Sequence, residues 1–516
     1  MKNVRQIVQA TTLVTAIALV VKGLGFAEKL LLAYFFGTGI QVDAYLVAYS
    51  LPFSAYIVLR EVVKPAFLPT FLRQAAEGDA WRLFSIVGTL LFLLLGLATA
   101  AAILLAEPLI ALAAPGFGGE QRLLAVRLTR LVMPALLLLG LSTLTTATLH
   151  AGKRFIPPAL GDVSFRAGPL LLLLAFGGVP ALALGTVLGA LGKLLIEAGA
   201  LGRALRRVRP ALDLTFEPLR TVGKLAAPLL AALFLSLFIG PLVENAFASK
   251  AGVGGVSALA YARKIAETLT TILPYTLGLV LLPFSAEMAA RRDEQALART
   301  LNGAVRGLTL LFLPVAVGLL LLHQPFIRLL FERGAFDAAS TRLTAGPLAF
   351  YALALLPFAL EVVVVQFFFA RQDTLTPVLT DAAAFALNVA LIPPLMAALG
   401  LGGIALAAAI AKGLKVLSLL FLFGRRVPAF RPADLGPFAG RMALACLATA
   451  AVLAVLQSVA ARFEVDGFLS LAAYLTLAGL LGGGVFFGAA FWLRVEEVRN
   501  LGQGAVAWVQ ARRRRG

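Results

Sequence analysis

The 516-residue chain has one cysteine, Cys446, and two histidines, His150 and His323. A lone thiol excludes an intrachain disulfide, and two imidazoles far apart in sequence offer no metal-ligand spacing, so no metal site is expected. Charge is also scarce, with Asp, Glu, Lys and Arg making up 14% of residues. The balance is +19, but the basic residues are interspersed between apolar runs and form no continuous basic face with aromatics, which excludes nucleic-acid binding. No phosphate loop is present: Gly189-Ala190-Leu191-Gly192-Lys193-Leu194 lacks the spacing and the terminal Ser/Thr. That stretch reads as helix packing, with Gly185 and Gly189 at small-xxx-small spacing. A nucleophile elbow and a repeated carboxylate pair in an outer loop are missing too, so an enzyme is not expected, and no connection is long enough to fold as a separate soluble domain.

What fills the chain is apolar: 60% of residues are hydrophobic, and runs such as 90–105, 135–149 and 308–322 recur along its whole length. A bilayer-crossing helix needs about 20 apolar residues, so the chain reads as an all-α polytopic membrane protein. Hydropathy windows give about 14 spans. They lie near 9–36, 43–68, 83–112, 125–149, 157–177, 180–202, 222–248, 256–285, 298–322, 341–369, 374–398, 401–424, 438–460 and 468–493. Pro52, Pro65, Pro274 and Pro393-Pro394 fall inside spans, where kinks are expected. The first apolar stretch starts near Ala10, carries Lys22 and has no small-residue cleavage site, so it reads as a retained helix.

Basic residues mark every second connection and the ends: Lys2 and Arg5, Arg73 and Arg82, Lys153 and Arg154, Arg203 to Arg209, Arg291 and Arg292, Arg371, Arg425 and Arg426, and Arg512 to Arg515. The positive-inside rule places these connections and both termini in the cytoplasm, as expected of a multi-pass protein of the bacterial cytoplasmic membrane.

An internal repeat organises the spans. Glu107-Pro108-Leu109-Ile110, followed by Pro115-Gly116-Phe117, is echoed by Gln324-Pro325-Phe326-Ile327, followed by Gly334-Ala335-Phe336. Lys153 to Pro158 is echoed by Gln372 to Pro377, and Leu68-Pro69 by Leu282-Pro283. The offsets are about 214–219 residues and indicate a duplication. Six spans per half is an even number, so the halves are expected as parallel repeats about the membrane normal with a site between them. The expected division is an N-terminal lobe over 1–210, a C-terminal lobe over 211–430, and two further helices with a basic tail over 431–516.

An ionisable side chain at bilayer depth costs at least about 2.5–3.5 kcal/mol on insertion scales, so those that are kept point to a protein-lined, wet cavity. Span one has Lys22, Glu28 and Lys29; the two lysines are seven residues apart, which puts them on one helix face. The alternative is that Lys29 snorkels to an interface and Glu28 pairs locally. Span eight has Lys264 and Glu267 at i,i+3 with Arg263 and Tyr261 nearby, and span two has Asp43 near its outer end and Arg60-Glu61 further in. Either they line the cavity or Lys264 and Glu267 satisfy each other and lock packing. Lysines with fewer carboxylates suit an anionic substrate, above all a phosphate or pyrophosphate head group. Glu244 and Asn245 in span seven, with Asp381 and Asn388 in span eleven, form a possible oxygen-lined cation site, or else a helix-end charge and interhelical hydrogen bonds. Without an ATPase signature, coupling to an ion gradient or to the membrane potential is expected.

Gly25-Phe26-Ala27, Phe36-Gly37, Asp43-Ala44, Leu51-Pro52, Ala114-Pro115-Gly116-Phe117, Lys153-Arg154-Phe155, Arg333-Gly334-Ala335-Phe336, and Arg371-Gln372-Asp373 running to Thr376-Pro377 occur in order along spans one to twelve. In these segments the chain resembles the MurJ (MviN) lipid II flippases of the multidrug/oligosaccharidyl-lipid/polysaccharide exporter superfamily. The resemblance implies a 14-helix, two-lobe transporter. Its partners would be membrane lipids and its cargo undecaprenyl-pyrophosphoryl-disaccharide-pentapeptide, moved from inner to outer leaflet by alternating access for peptidoglycan synthesis, with no cofactor, as a monomer. It also implies a lipid-tail groove along the last two helices, here 442–460 and 469–493. By the same resemblance Lys22 stands at a first-helix arginine, Asp43 and Glu61 at second-helix acids, Lys264 and Glu267 at an eighth-helix Arg and Glu, and Arg441 at a thirteenth-helix arginine. Arg371 and Asp373 belong to the shared Arg-Gln-Asp segment. Glu28-Lys29 departs from the family's Arg-Asp, reversing the order of the signs. A flippase for another polyprenyl-pyrophosphate-linked oligosaccharide and an ion-coupled drug exporter remain as alternatives.

Overall fold

Apolar stretches punctuated by proline, glycine and basic connections form helices, and among the described residues every regular element is helical. The computed structural model describes residues 2–462 and 467–499. The basic tail at Arg512 to Arg515 and the side chains of Lys2 and Arg5 lie outside the described residues.

The first half comprises α1 (Lys2–Phe36), α2 (Ile40–Glu77), α3 (Ala80–Leu104), α4 (Ala106–Ala113), α5 (Gly119–Val132), α6 (Pro134–Ala151), α7 (Ile156–Phe176) and α8 (Gly178–Leu201). The chain continues through α9 (Glu217–Leu233), a π-helical turn (Phe234–Ile239), α10 (Gly240–Ser249), α11 (Gly255–Ala290), α12 (Glu294–Leu321) and α13 (His323–Phe331). It ends in α14 (Ala338–Ala370), α15 (Leu375–Leu399), α16 (Leu401–Arg426), α17 (Gly436–Ala460) and α18 (Phe468–Trp492). Among the described residues eleven helices, with α5 and α6 joined as Gly119–Ala151, are long and apolar enough to cross a membrane, and a twelfth is counted if Glu217–Ala231 and Phe234–Ser249 cross as one span bent by 51°.

The third span differs from its hydropathy outline, because the apolar run near 83–112 is two helices, α3 and α4. Pro108 cannot donate to the carbonyl of Leu104, and its ring clashes with that carbonyl, so the helix stops at Leu104. Pro325 does the same to Leu321, where α12 ends and α13 follows. The duplication is therefore visible as a repeated break. It recurs before α7 and α15, where Lys153 (φ 58°) and Gln372 (φ 60°) are left-handed. Arg154 N–H then reaches back to Leu149 at 2.8 Å and Asp373 N–H to Phe368 at 3.0 Å, closing matched helix ends.

Two compact units form: Met1–Ser257 with Arg333–Phe336, and Ala258–Glu332 with Asp337–Gly516. In the first, α2 packs against α5, α6 and α9, α6 against α8, and α7 against both α1 and α8. In the second, α14 packs on α12 and α16, α15 on α16, and α17 on α18 and α12. The α7–α8 crossing brings backbones together: a Cβ at Gly168 would lie 2.4 Å from Gly185 O, and one at Gly185 would lie 2.6 Å from Gly168 O. Small residues permit this approach in membranes, where dispersion contacts replace hydrophobic driving force.

Gly168→Val or Gly185→Val is therefore expected to lower both membrane abundance and the melting temperature in detergent. Gly96→Ala and Gly199→Ala, where nothing lies within 4 Å of the added methyl, serve as neutral controls. Equal melting of all four proteins would contradict the close crossing.

Candidate functional site

A carboxylate buried in an apolar helix packing needs a cation or several N–H donors. Glu28 meets this need on α1, where it is 2% exposed. Lys29 Nζ lies 3.7 Å away on one side and Arg166 Nη1 of α7 lies 3.5 Å away on the other. Arg166 also donates to Tyr49 Oη at 3.3 Å and lies over the rings of Phe53 and Phe165, at 5.2 and 5.6 Å. Tyr45, Tyr49 and Phe53 follow one another at four-residue spacing on α2, with ring centroids 5.8 and 4.9 Å apart. Arg166 is thus held by a carboxylate, a phenol and two ring faces. The local-pairing alternative for Glu28 describes what it does, except that its partners include Arg166, which sequence reasoning passed over. Lys22, two helical turns before Lys29, is exposed.

Asp43 is fully buried and accepts from three donors: Gly254 N at 2.7 Å, Ser257 N at 2.8 Å and Gln121 Nε2 at 3.4 Å. The first two are free N–H groups at the start of α11, where the helix dipole favours a negative charge. Asp43 acts as a cap on α11, supplied by α2. Close by in sequence, Asn245 Nδ2 donates to Ser50 Oγ at 3.0 Å, and Gly116 N to Ser249 Oγ at 3.0 Å. Glu61 is half-exposed and paired with its neighbour Arg60 at 2.9 Å.

A second network of the first unit was not anticipated. Lys193 of α8, 2% exposed, donates to Asp162 of α7 and to Glu197 one turn along α8, both at 2.8 Å. Thr145 and Thr146 of α6 donate to the two oxygens of Glu197. A Cβ at Gly161 would stand 2.9 Å from Lys193 Cγ, so glycine there leaves the passage for the lysine stem.

In the second unit, Arg263 Nε lies 3.6 Å from Glu267 one turn along α11, while Lys264 is half-buried. Asp381 of α15 meets Lys415 of α16 at 2.5 Å, and Glu361 of α14 meets both Lys415 at 2.5 Å and Lys412 at 2.7 Å. Asp162 and Asp381 are each the seventh residue of their helix, and each binds a lysine of the helix that follows. Asn388 lies two turns beyond Asp381, about 10 Å along α15 at 1.5 Å per residue. No group of three or more His, Cys, Asp or Glu side chains able to hold a metal ion occurs among the described residues. Asp373 caps α15 through Thr376 N at 3.1 Å and pairs with Arg426, whose carbonyl accepts from Arg371 at 3.5 Å. Arg441 donates to the carbonyl of Arg494 at 3.2 Å.

The fold has solved counterparts. A structure of lipid II flippase MurJ in an inward closed conformation superposes with a TM-score of 0.76 at 22% identity, covering 93% of this chain and all of that one. An inward-facing multidrug-resistance MATE family transporter of the MOP superfamily superposes at 0.69 with 17% identity, covering 79% and 94%. The chain thus has the helical fold of these structures. Among curated relatives, a probable lipid II flippase MurJ of Rhizobium meliloti is 30% identical over 427 residues, 78% of this chain and 79% of the relative. A lipid II flippase MurJ of Burkholderia cenocepacia is 28% identical over 399 residues, 72% and 74%. The lipid II flippase MurJ family profile matches residues 32–474, and the chain belongs to that family.

Removing Glu28 as Glu28→Ala leaves Arg166 without its carboxylate partner, which for a buried pair costs about 3–5 kcal/mol. The expected result is a lower melting temperature in detergent and less protein in the membrane, with Arg166→Met in the same background recovering part of both. A Glu28→Ala protein as stable as the parent would show that the pair does not hold α1 to α7.

Proposed function

We propose that this chain moves lipid II, the lipid-linked peptidoglycan precursor after which its relatives are named, from the inner to the outer leaflet of the bacterial cytoplasmic membrane by alternating access. The observation that carries the reading is the charge on α1 and its neighbour α7. Lys29 and Arg166 both pair with Glu28, and Lys22 lies two turns before Lys29 on α1, so cations outnumber carboxylates along this stretch of α1 and α7. On α11 the pair of Arg263 and Glu267 has Lys264 beside it, again more cations than carboxylates. Such groups match a pyrophosphate linkage, and they bind it as hydrogen-bonding cations whether the fork is arginine or the point charge is lysine.

In this reading Lys22, Lys29 and Lys264 meet the pyrophosphate, while Glu28 and Glu267 position the cations beside them. Glu61 with Arg60 lies along the glycan's path, and Asp43 caps α11 at its outer end. The reversed order of Glu28 and Lys29 keeps one fixed anion and one cation on α1, with Arg166 as the forked partner that α1 itself lacks. Counting α1 and α11, 35 and 36 residues long, as spans beside the twelve gives fourteen, with both termini cytoplasmic. The expected lobes, 1–210 and 211–430, would then be followed by α17 and α18. These bury only Phe438, Met442, Ala445, Thr449 and Leu453, and Leu471, Ala478, Gly482, Phe486 and Ala490, leaving apolar faces suited to the polyprenyl tail. Arg441 stands at the entrance of that tail groove. The protein works as a monomer without a cofactor, performs no covalent chemistry, and draws on an ion gradient or the membrane potential, worth about 2.3 kcal/mol per charge per 100 mV.

Expression of this chain in a bacterium depleted of its resident lipid II flippase is expected to restore growth and outer-leaflet lipid II. Lys22→Ala and Lys264→Ala are each expected to abolish rescue while the protein still accumulates. Correct insertion without rescue would favour another polyprenyl-linked oligosaccharide, and normal rescue by both variants would remove the lysines from the site.

A further inference from the structure

Glu361, Asp381, Lys412 and Lys415 form a charge-balanced set inside the second unit, distant in sequence from the cationic groups of α1 and α11. Glu361 and Lys415 are 16% and 4% exposed at their side chains, so water does little to neutralise either. Lys415 Nζ stands 2.5 Å from a Glu361 oxygen and 2.5 Å from an Asp381 oxygen. A calcium-sized cation takes its oxygen ligands at about 2.3–2.6 Å, and sodium has nearly the same radius. The ammonium group thus donates to both carboxylates and fills the space between them, where a bare cation would otherwise be needed. Lys412 Nζ, 2.7 Å from Glu361 and 5.5 Å from the Phe358 ring centroid, supplies the second charge needed for balance.

We propose that Lys415 is a resident cation: it fills the carboxylate pocket of α14 and α15 in place of a sodium ion, so that transport by this chain requires no sodium. The first unit supports the same design, since Lys193 stands between Asp162 and Glu197 and a lysine from the following helix again answers the acid at the seventh residue. A tethered ammonium differs from a bound ion in its consequences. It cannot leave the site during the cycle, so the pocket contributes fixed charge and helix positioning, and coupling must come from elsewhere. The proposal narrows the energy source within the transporter reading and rests on that reading only where flipping is measured.

The test uses the purified full-length protein in detergent, with radioactive sodium as the probe and melting temperature compared in sodium chloride and choline chloride. The parent protein is expected to bind no saturable sodium and to melt equally in both salts. Lys415→Met exposes the carboxylates and is expected to bind roughly one sodium per chain, to melt higher in sodium than in choline, and to lose both properties on adding Asp381→Asn. Saturable sodium binding by the parent, abolished by Asp381→Asn, would overturn the proposal, as would a folded Lys415→Met that binds none. If Lys415→Met does not accumulate, the parent protein decides: sodium binding refutes the resident cation and its absence, with salt-independent melting, upholds it. In proteoliposomes, replacing sodium by choline is expected to leave the parent's flipping of lipid II unchanged. Absence of flipping in both salts would count against the flippase reading while leaving the sodium-binding result standing.

Discussion

A charge inside a membrane-spanning helix must be met by the helix beside it, because the hydrocarbon around it offers no water to do so. Much of the internal order of both units follows from this requirement. Lys193 reaches Asp162 only because α7 and α8 approach at their glycines, and Glu197 is held where Thr145 and Thr146 of α6 can donate to it. Arg166 ties α7 to α1 through Glu28 and to α2 through Tyr49. In the second unit Glu361, Asp381 and the two lysines join α14, α15 and α16. The same pairs that allow charge to exist in the bilayer also define which helices are neighbours.

The helices were largely readable from hydropathy because a span is a long apolar run and such runs are hard to mistake. The break between α3 and α4 escaped that reading: Pro108 is compatible with an apolar average, yet its ring is not compatible with the carbonyl of Leu104. Glu28 and Lys29 stood out because they interrupt one helix. Arg166, Asp162, Glu361 and Lys412 interrupt theirs just as plainly, but their partners lie on other helices, so no local spacing announced the pairs. Lys193 was visible only as part of a stretch that fails as a phosphate loop. The cation-site reading grouped Asp381 with Glu244, Asn245 and Asn388, whereas the side chain that meets Asp381 is Lys415 of the next helix, which no local spacing announced.

Duplication makes the two units comparable without making them identical. Proline ends α3 and α12 four residues upstream, left-handed residues precede α7 and α15, and an aspartate occupies the seventh place of each. The answering groups then diverge. The first unit has two carboxylates, one lysine and two threonine hydroxyls, whereas the second has two carboxylates and two lysines. Hydroxyls spread a negative charge over hydrogen bonds, while a second ammonium cancels it. Corresponding positions of the two units are thus completed by two different chemistries.

Gly161 gives this divergence a steric side. The lysine stem of α8 passes through the space where that residue has no side chain, with Lys193 Cγ 2.9 Å from the position a methyl group would take. A residue that makes no hydrogen bond through a side chain and carries no charge thereby determines where a charge can stand. In a protein built of apolar helices, the electrostatic pattern is written partly in omitted atoms, and a comparison of charged positions among relatives has to include the small residues facing them.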